Sequence, residues 1–336
     1  MSLRGRSLKG ALVWLVGGFV LFASGAALAG DYHLGRTLIC NDCHNMHYSQ
    51  ARGWGGGPFV WPPLWPGGPW PWLLRGPTIQ TCLACHNEQS YPVDVYGTNL
   101  STVAVRQAGA LNGTVDGLAP GTIYDNWKGH TLAATLTAPG GTWQPTNAEG
   151  LRCQDCHDQH GNNYYRNLLL RPGTADTDRP VTYATTVNDT TKDVFQLSAV
   201  PGQHYDASNI FFNEPNSQES ALGNWCKGCH TNFHRGDRGH PTAEENITGP
   251  RLTRFASLSN RVKVMSPSGN WGPYGSPWVG APDGLTPSCQ SCHKSHGNKN
   301  AFGLVYMSGT GTVNEEGDSG GSDVRALCQQ CHFPGD

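Results

Sequence analysis

Hydrophobic residues are concentrated at the start of the chain. Positions 11–23 are apolar, a basic stretch at 4–9 precedes them, and Ala27-Leu28-Ala29 follows with small residues. This pattern is typical of a secretory signal peptide. We therefore expect residues 1–29 to be removed and the mature chain to begin at Gly30, whereas the alternative is a retained membrane anchor. No later segment is apolar enough for a span of about 20 residues.

Beyond this run the hydrophobic pattern predicts few regular elements. Residues 97–150 and 172–222 are long polar connections with turn signals, and the alternating stretch at 181–187 is the clearest short strand. Short helices are predicted at 224–229 and 323–331. Residues 53–77 repeat tryptophan, proline and glycine, which excludes a helix or a central strand and favours polyproline-like pieces joined by turns.

Composition explains why regular elements are scarce. The 336 residues include 44 Gly and 23 Pro, and only 14% are charged. Such a chain is poor in helix formers and rich in turn formers. The net charge of -2 gives no reason to expect nucleic acid or an anionic membrane surface as a partner. A chain of this kind needs something other than aliphatic side chains to fill its interior.

The cysteines supply the missing component. All 12 fall in six C-x-x-C-H motifs, the sequence that attaches haem c covalently through two thiols and ligates its iron through the histidine. Structural zinc would not need a histidine after every pair, and a disulfide framework would not repeat one tight spacing. The attachment cysteines are Cys40 and Cys43, Cys82 and Cys85, Cys153 and Cys156, Cys226 and Cys229, Cys289 and Cys292, and Cys328 and Cys331.

Six haems leave each with about 51 residues of the predicted mature chain, 30–336. That is too little protein for six separate domains, so the haems must pack together and form much of the core. We predict a multihaem c-type cytochrome with a single elongated domain. It should be mostly coil, with short helices and few short strands, wrapped around a closely stacked chain of six haems. Residues 53–77 would then either cover haem edges or form a contact surface for another subunit.

The 14 histidines suggest how the irons are ligated. Six are the proximal ligands His44, His86, His157, His230, His293 and His332, which leaves eight for up to six distal positions. His47, His160 and His296 each follow a motif histidine by three residues, and such an H-x-x-H pair is too short to reach both faces of one haem. The second histidine should therefore serve a neighbouring haem. The other candidates are His33, His130 and His240, with His234 ranked below His240 and His204 last.

The segment Tyr32-His33-Leu34-Gly35, followed by C-N-D-C-H-N-M-H at 40–47, resembles the mature N-terminus of extracellular hexahaem cytochromes that polymerise into conductive filaments, the outer-membrane cytochrome S type. The resemblance covers about twenty residues and agrees with the haem count, whereas the segment at 53–77 departs from the family. It implies bis-histidine ligation throughout, with His33 as a distal ligand within the chain. It also implies that His47 ligates the haem on Cys289 and Cys292 of a neighbouring subunit.

These observations predict a secreted protein, extracellular or at the cell surface, in which electrons hop along stacked bis-histidine haems of a filament. Other cytochromes or extracellular acceptors would be its partners. The alternatives are a monomeric periplasmic shuttle or a conduit subunit, and a multihaem reductase. A reductase needs a vacant axial position and nearby acid, base or cationic groups, and surplus histidines disfavour such a vacancy.

Overall fold

The structure, a computed structural model, describes residues 40–44, 70–86, 95, 111, 129–181, 221–233, 245–266, 272–273, 275–297, 301–305 and 325–333. The signal peptide predicted at 1–29, most of 53–77 and the strand predicted at 181–187 lie outside these residues, apart from 70–77 and Val181. Five candidate ligands also lie outside them: His33, His47, His204, His234 and His240.

Within the described part, short helices sit at the attachment motifs, as the sequence predicted. Helices α1 (Cys40–Cys43), α2 (Thr78–His86), α3 (Ala221–Cys226), α5 (Cys289–Cys292) and α6 (Arg325–Cys328) each end in a motif, and the third motif forms a single 3-10 turn, Cys153–Asp155. α3 therefore begins before the helix predicted at 224–229. Among the described residues no helix is long and apolar enough to cross a membrane.

Helix α4 (Gly249–Ser257) was not predicted. It begins after Thr248, with a proline in its first turn, and ends at Leu258, whose backbone is extended. A proline fits there because the first N–H groups of a helix have no intrahelical partner. α4 buries Phe255 completely.

The backbone pairs through isolated bridges, and no regular strand occurs in the described ranges. Three of these antiparallel bridges join a motif histidine to a leucine further along the chain: His44 to Leu74, His157 to Leu168, and His293 to Leu304. The three leucines are buried, with 8%, 8% and 9% of their surface exposed. Each bridge therefore returns the chain to the motif that it has just left.

Among the residues that the structure describes, two hydrophobic clusters support this scaffold. The larger lies around the fifth and sixth motifs and contains Phe255, Val264, Trp278 and Leu285, among others. The smaller contains Ile79, Leu83, Leu111 and Leu132.

Candidate haem sites

Each attachment motif for which the bond is described is one turn of helix. The backbone N–H of the motif histidine donates to the carbonyl of the first cysteine in the first, third, fourth, fifth and sixth motifs, at 2.8–3.0 Å. Positions i and i+3 of a helical turn share a face, so both thiols face the same way and the histidine follows directly. The turn thus presents two thiols and an imidazole to one porphyrin.

Four of the proximal histidines are oriented by backbone carbonyls. The Nδ1 atoms of His44, His157 and His293 lie 3.0, 2.8 and 2.8 Å from the carbonyl oxygens of Trp72, Arg166 and Phe302. His230 Nδ1 lies 2.8 Å from the carbonyl of Pro139. Only an Nδ1–H can donate to a carbonyl, so Nε2 carries the lone pair that a metal needs.

Three further histidines lie opposite proximal ones at the spacing of two ligands on one iron. A ligating nitrogen sits about 2 Å from its metal and the ring centre about 1 Å beyond, so the centres of two trans imidazoles are roughly 6 Å apart. The ring centres of His44 and His160 are 6.2 Å apart. Those of His157 and His296 are 6.4 Å apart, and those of His230 and His130 are 6.1 Å apart. The three pairs therefore fit bis-histidine haem.

The surroundings of His130 and His296 favour the neutral imidazole that binds iron. Burial, followed by the neighbouring His230, lowers the pKa of His130 to about 4. Burial, followed by His157, lowers the pKa of His296 to about 3. His130 is exposed to solvent although protein atoms surround it at longer range. Its Nδ1 lies 2.5 Å from the carbonyl of Ser295, which again leaves Nε2 free.

Thiols of successive motifs lie beside one another. Burial raises the pKa of the Cys43 thiol to about 11, with Cys82 and Cys85 adding to the shift. Burial and then Cys229 raise the pKa of Cys156 to about 12. Burial and then Cys331 raise that of Cys292 to about 12. The first motif thus adjoins the second, the third adjoins the fourth, and the fifth adjoins the sixth.

Hydrogen-bonded thiols join these pairs of motifs to each other. The bond between Cys82 and Cys153 raises the pKa of the first thiol and lowers that of the second. The bond between Cys226 and Cys289 raises the pKa of Cys226. The six motifs therefore follow one another in space in the same order as in the sequence.

Close backbone contacts hold the fourth motif. Gly228, inside C-x-x-C-H, packs on Pro172, since an added Cβ would lie 2.4 Å from the Pro172 carbonyl oxygen. Gly141 packs as tightly on the carbonyl of Cys229. The backbone N–H of Asn232 donates to the Gly140 carbonyl at 2.5 Å. Because glycine has no Cβ, the backbone of these loops packs directly against the backbone of the motif.

Two solved structures resemble this chain at low identity. A filament of outer membrane cytochrome S from Geobacter sulfurreducens is 16% identical, over 80% of this chain and 84% of that chain, with a TM-score of 0.42. Nanowires of OmcS from the same organism are 17% identical, over 90% and 99% of the two chains, with a TM-score of 0.44. None of the curated proteins compared with the chain matches it.

A family model described as a doubled CXXCH motif matches residues 285–335. This range holds the fifth and sixth motifs, from Cys289 to His332. The pairing of motifs in that model agrees with the influence of Cys331 on Cys292, whose pKa it helps to raise. Residues 285–335 are therefore a paired attachment segment for covalently bound haem c.

Proposed function

We propose that this chain is an exported electron-transfer protein with six covalently attached haem c groups, and that it polymerises end to end into filaments. The observation that carries this proposal is the repeated spacing between histidines of alternate motifs: the ring of His160 lies 6.2 Å from that of His44, and the ring of His296 lies 6.4 Å from that of His157. Haem c supplies reversible one-electron transfer at its iron. The task of the protein is then to space the groups and to hold their ligands.

The histidine pairs support a carrier in preference to a catalyst. We assign His44 with His160, His157 with His296, and His230 with His130 as axial pairs, from their spacing. An iron with two histidine ligands has no vacant position for a substrate. The ligands and their burial set the potentials at which electrons pass.

The second histidines of the H-x-x-H pairs suggest how subunits join. His160 belongs to the third motif and lies opposite the histidine of the first, and His296 belongs to the fifth and lies opposite that of the third. Each therefore reaches back by two motifs. By the same step, His47 of the first motif would lie opposite His293 of the fifth motif in a neighbouring subunit. This stepping supports the ligation that the sequence resemblance implies.

The exposure of the cysteines at the two ends of the motif series supports the same joint between subunits. Inside the chain, the first cysteine of an even motif meets the first cysteine of the next odd motif, as Cys82 meets Cys153 and Cys226 meets Cys289. Cys328 and Cys40 hold the equivalent positions at the two ends of the series. They are the two cysteines of the twelve that are exposed. A second copy of the chain would continue the pattern by placing its Cys40 beside Cys328.

The test is electron microscopy of the secreted protein and of a His47→Ala variant, with His204→Ala as the matched control. We expect filaments from the unaltered protein and from the control. The His47→Ala protein should keep its haem but stay monomeric, with one iron in the high-spin state. Filaments of normal length from His47→Ala would overturn the joint. A monomer from the unaltered protein at high concentration, or tight cyanide binding at rest, would point to the shuttle or the reductase instead.

A further inference from the structure

The first, third and fifth motifs share one backbone arrangement. In each, the carbonyl of the second cysteine accepts a hydrogen bond at 2.9 Å from the N–H of the residue after the bridged leucine, which is Arg75, Leu169 or Val305. The motif histidine of each also faces, through its Nδ1, a backbone carbonyl of the turn that brings the chain back to the motif. Because these backbone contacts agree, side chains at equivalent positions of the three motifs can be compared directly.

The residue before the second cysteine differs in charge among these three motifs. It is Asp42 in the first motif, Asp155 in the third and Ser291 in the fifth. Lys227 of the fourth motif is the other charged residue that lies between two attachment cysteines. The third and fifth motifs therefore have the same backbone but differ by one negative charge between their thiols.

Asp155 and Ser291 make the same local hydrogen bond. The backbone N–H of Arg152 donates to Asp155 Oδ2 at 2.7 Å, and that of Ser288 donates to Ser291 Oγ at 2.9 Å. Each bond joins the residue before the first cysteine to the residue before the second, as in a helix capping box. The turn therefore needs an acceptor at this position but no charge, because a hydroxyl is sufficient in the fifth motif.

The carboxylate of Asp155 acts on two motifs. It pairs with the Arg152 guanidinium at 3.3 Å, and both side chains are mostly buried, so solvent screens their charges weakly. Burial and then Asp155 raise the pKa of the Cys229 thiol to about 11. Burial and Cys229, followed by Asp155, raise the pKa of the Cys156 thiol to about 12. The negative charge is therefore effective at the third and fourth motifs although Arg152 pairs with it.

The surroundings of the fifth motif are less negative. Ser291 is buried and carries no charge. Burial and then neighbouring cysteines, Cys331 first, raise the pKa of Cys292, and no carboxylate among the described residues contributes to this shift. Burial also raises the pKa of Cys331 to about 11, but Arg251 of α4 opposes that change. The charge nearest to the paired fifth and sixth motifs is therefore positive among the groups that act on these thiols.

We propose that Asp155 and Ser291 set a potential difference within the chain, with the haem of the fifth motif at a higher midpoint potential than the haem of the third. Oxidised haem carries one more positive charge than reduced haem, so a nearby carboxylate stabilises the oxidised form and lowers the potential. Transfer of one electron from the third motif to the fifth oxidises one iron and reduces the other, and it needs no further reactant. This inference rests on the haem loading in the proposed function and does not depend on polymerisation.

The test is a redox titration of the haem-loaded protein, followed by its visible absorption. Asp155→Asn keeps the shape and the acceptor oxygen but removes the charge, so it should shift the low-potential part of the titration curve upwards. Ser291→Asp adds a charge and should shift the high-potential part downwards. Ser291→Asn adds a side chain of the same size without charge, and Asp178→Asn removes a carboxylate that is more than half exposed. Both of these control variants should leave the curve unchanged.

Several results would overturn the inference. They are an unchanged curve from Asp155→Asn, an equal shift from Asp178→Asn, or a shift of the low-potential part by Ser291→Asp. If Ser291→Asp does not load its haems, the comparison of Asp155→Asn with Asp178→Asn still decides whether Asp155 lowers a potential. If the unaltered protein carries no haem, the proposed function fails and this inference fails with it. A loaded protein that stays monomeric contradicts only the polymerisation, and the titration then still decides the potential difference.

Discussion

His157 and His296 belong to different attachment motifs, yet their ring centres lie 6.4 Å apart and their planes cross at 81°. The rings of His44 and His160 have nearly the same spacing but are close to parallel, at 21°. Crossed ligand planes keep two iron d orbitals close in energy, whereas parallel planes split them. The two haems that we propose for these histidine pairs should therefore differ in spectrum although their ligands are chemically identical.

The first prediction follows from this difference. The oxidised protein should show a strongly anisotropic low-spin signal from the haem on Cys153 and Cys156, together with rhombic signals from haems with parallel ligands. His296→Met should remove the anisotropic signal, because it replaces one of the crossed imidazoles. His160→Met is the control and should instead remove a rhombic component. An anisotropic signal that survives His296→Met would contradict the pairing.

Gly129 gives a second prediction. Gly129→Ala places a methyl group 2.4 Å from the His296 carbonyl oxygen, which should separate His130 from Ser295 and withdraw it from the iron. One haem should become high-spin while haem loading stays complete. Gly280→Ala is the control, since Gly280 is left-handed at φ 71° but has no atom near an added Cβ. If both variants give the same spectrum as the unaltered protein, the contact does not position the ligand.

The sequence predicts the attachment sites because their chemistry demands a fixed local spacing. Two thiols and an imidazole on one helical turn require the same short sequence spacing in every copy, as at Cys289, Cys292 and His293. The short helices at the motifs could be predicted for the same reason. The sequence also predicts that the second histidine of an H-x-x-H pair serves a neighbouring haem, since three residues cannot span a porphyrin.

The sequence does not predict the turns that bring the chain back to a motif, because each turn contacts the motif histidine through a backbone carbonyl. Trp72, Arg166 and Phe302 occupy the same left-handed position, although two are aromatic and one is a charged residue. Their shared sequence signal is the leucine two positions later. This leucine lies 11 positions after the motif histidine in two cases but 30 positions after His44 in the third. Ligand pairing was equally hidden, because it depends on contacts between distant segments.

Helix α4 and its neighbour Arg261 were missed for a different reason. The proline after Thr248 is typical of a helix start, but the stretch is short and is distant from any motif along the sequence. Arg261 is 7% exposed and its guanidinium contacts the rings of Phe255 and Trp278. A sequence does not show which arginine will be buried at the centre of an aromatic cluster.

Arg261 provides the third prediction, on stability. Its Nη1 donates to the carbonyls of Leu258 and Ser276 and its Nη2 to that of Pro273, while burial lowers its pKa to about 10. Arg261→Met would leave these carbonyls without their charged donor and should lower the free energy of unfolding by about 2–4 kcal/mol. Denaturant unfolding of the haem-loaded protein measures this change.

Arg171→Met is the control for that experiment. Arg171 pairs with Asp178 at 2.5 Å, but both side chains are more than half exposed. The loss should stay below about 1 kcal/mol, as for other surface ion pairs. Equal losses of unfolding free energy from the two variants would show that the buried contacts of Arg261 stabilise the protein no more than a surface ion pair does.

Phe302 gives the fourth prediction. It is left-handed at φ 58° and 54% exposed, so its side chain gains little from burial and suffers steric strain. Phe302→Gly should raise the free energy of unfolding by about 1 kcal/mol, because glycine adopts this conformation without strain. His293 should keep its ligation, since only a carbonyl is used. Leu136→Gly, at an exposed site without a positive φ, should instead destabilise the protein, and a loss at Phe302 as well would refute the strain argument.

High-resolution electron microscopy of the haem-loaded, secreted protein tests the central claim most directly, because it shows both axial ligands of every iron. We predict His44 with His160, His157 with His296 and His230 with His130. His293 should be paired with His47 of the adjacent subunit in a continuous filament. A vacant or differently ligated iron at any of the first three sites, or a His293 iron completed from within its own chain, would contradict this account.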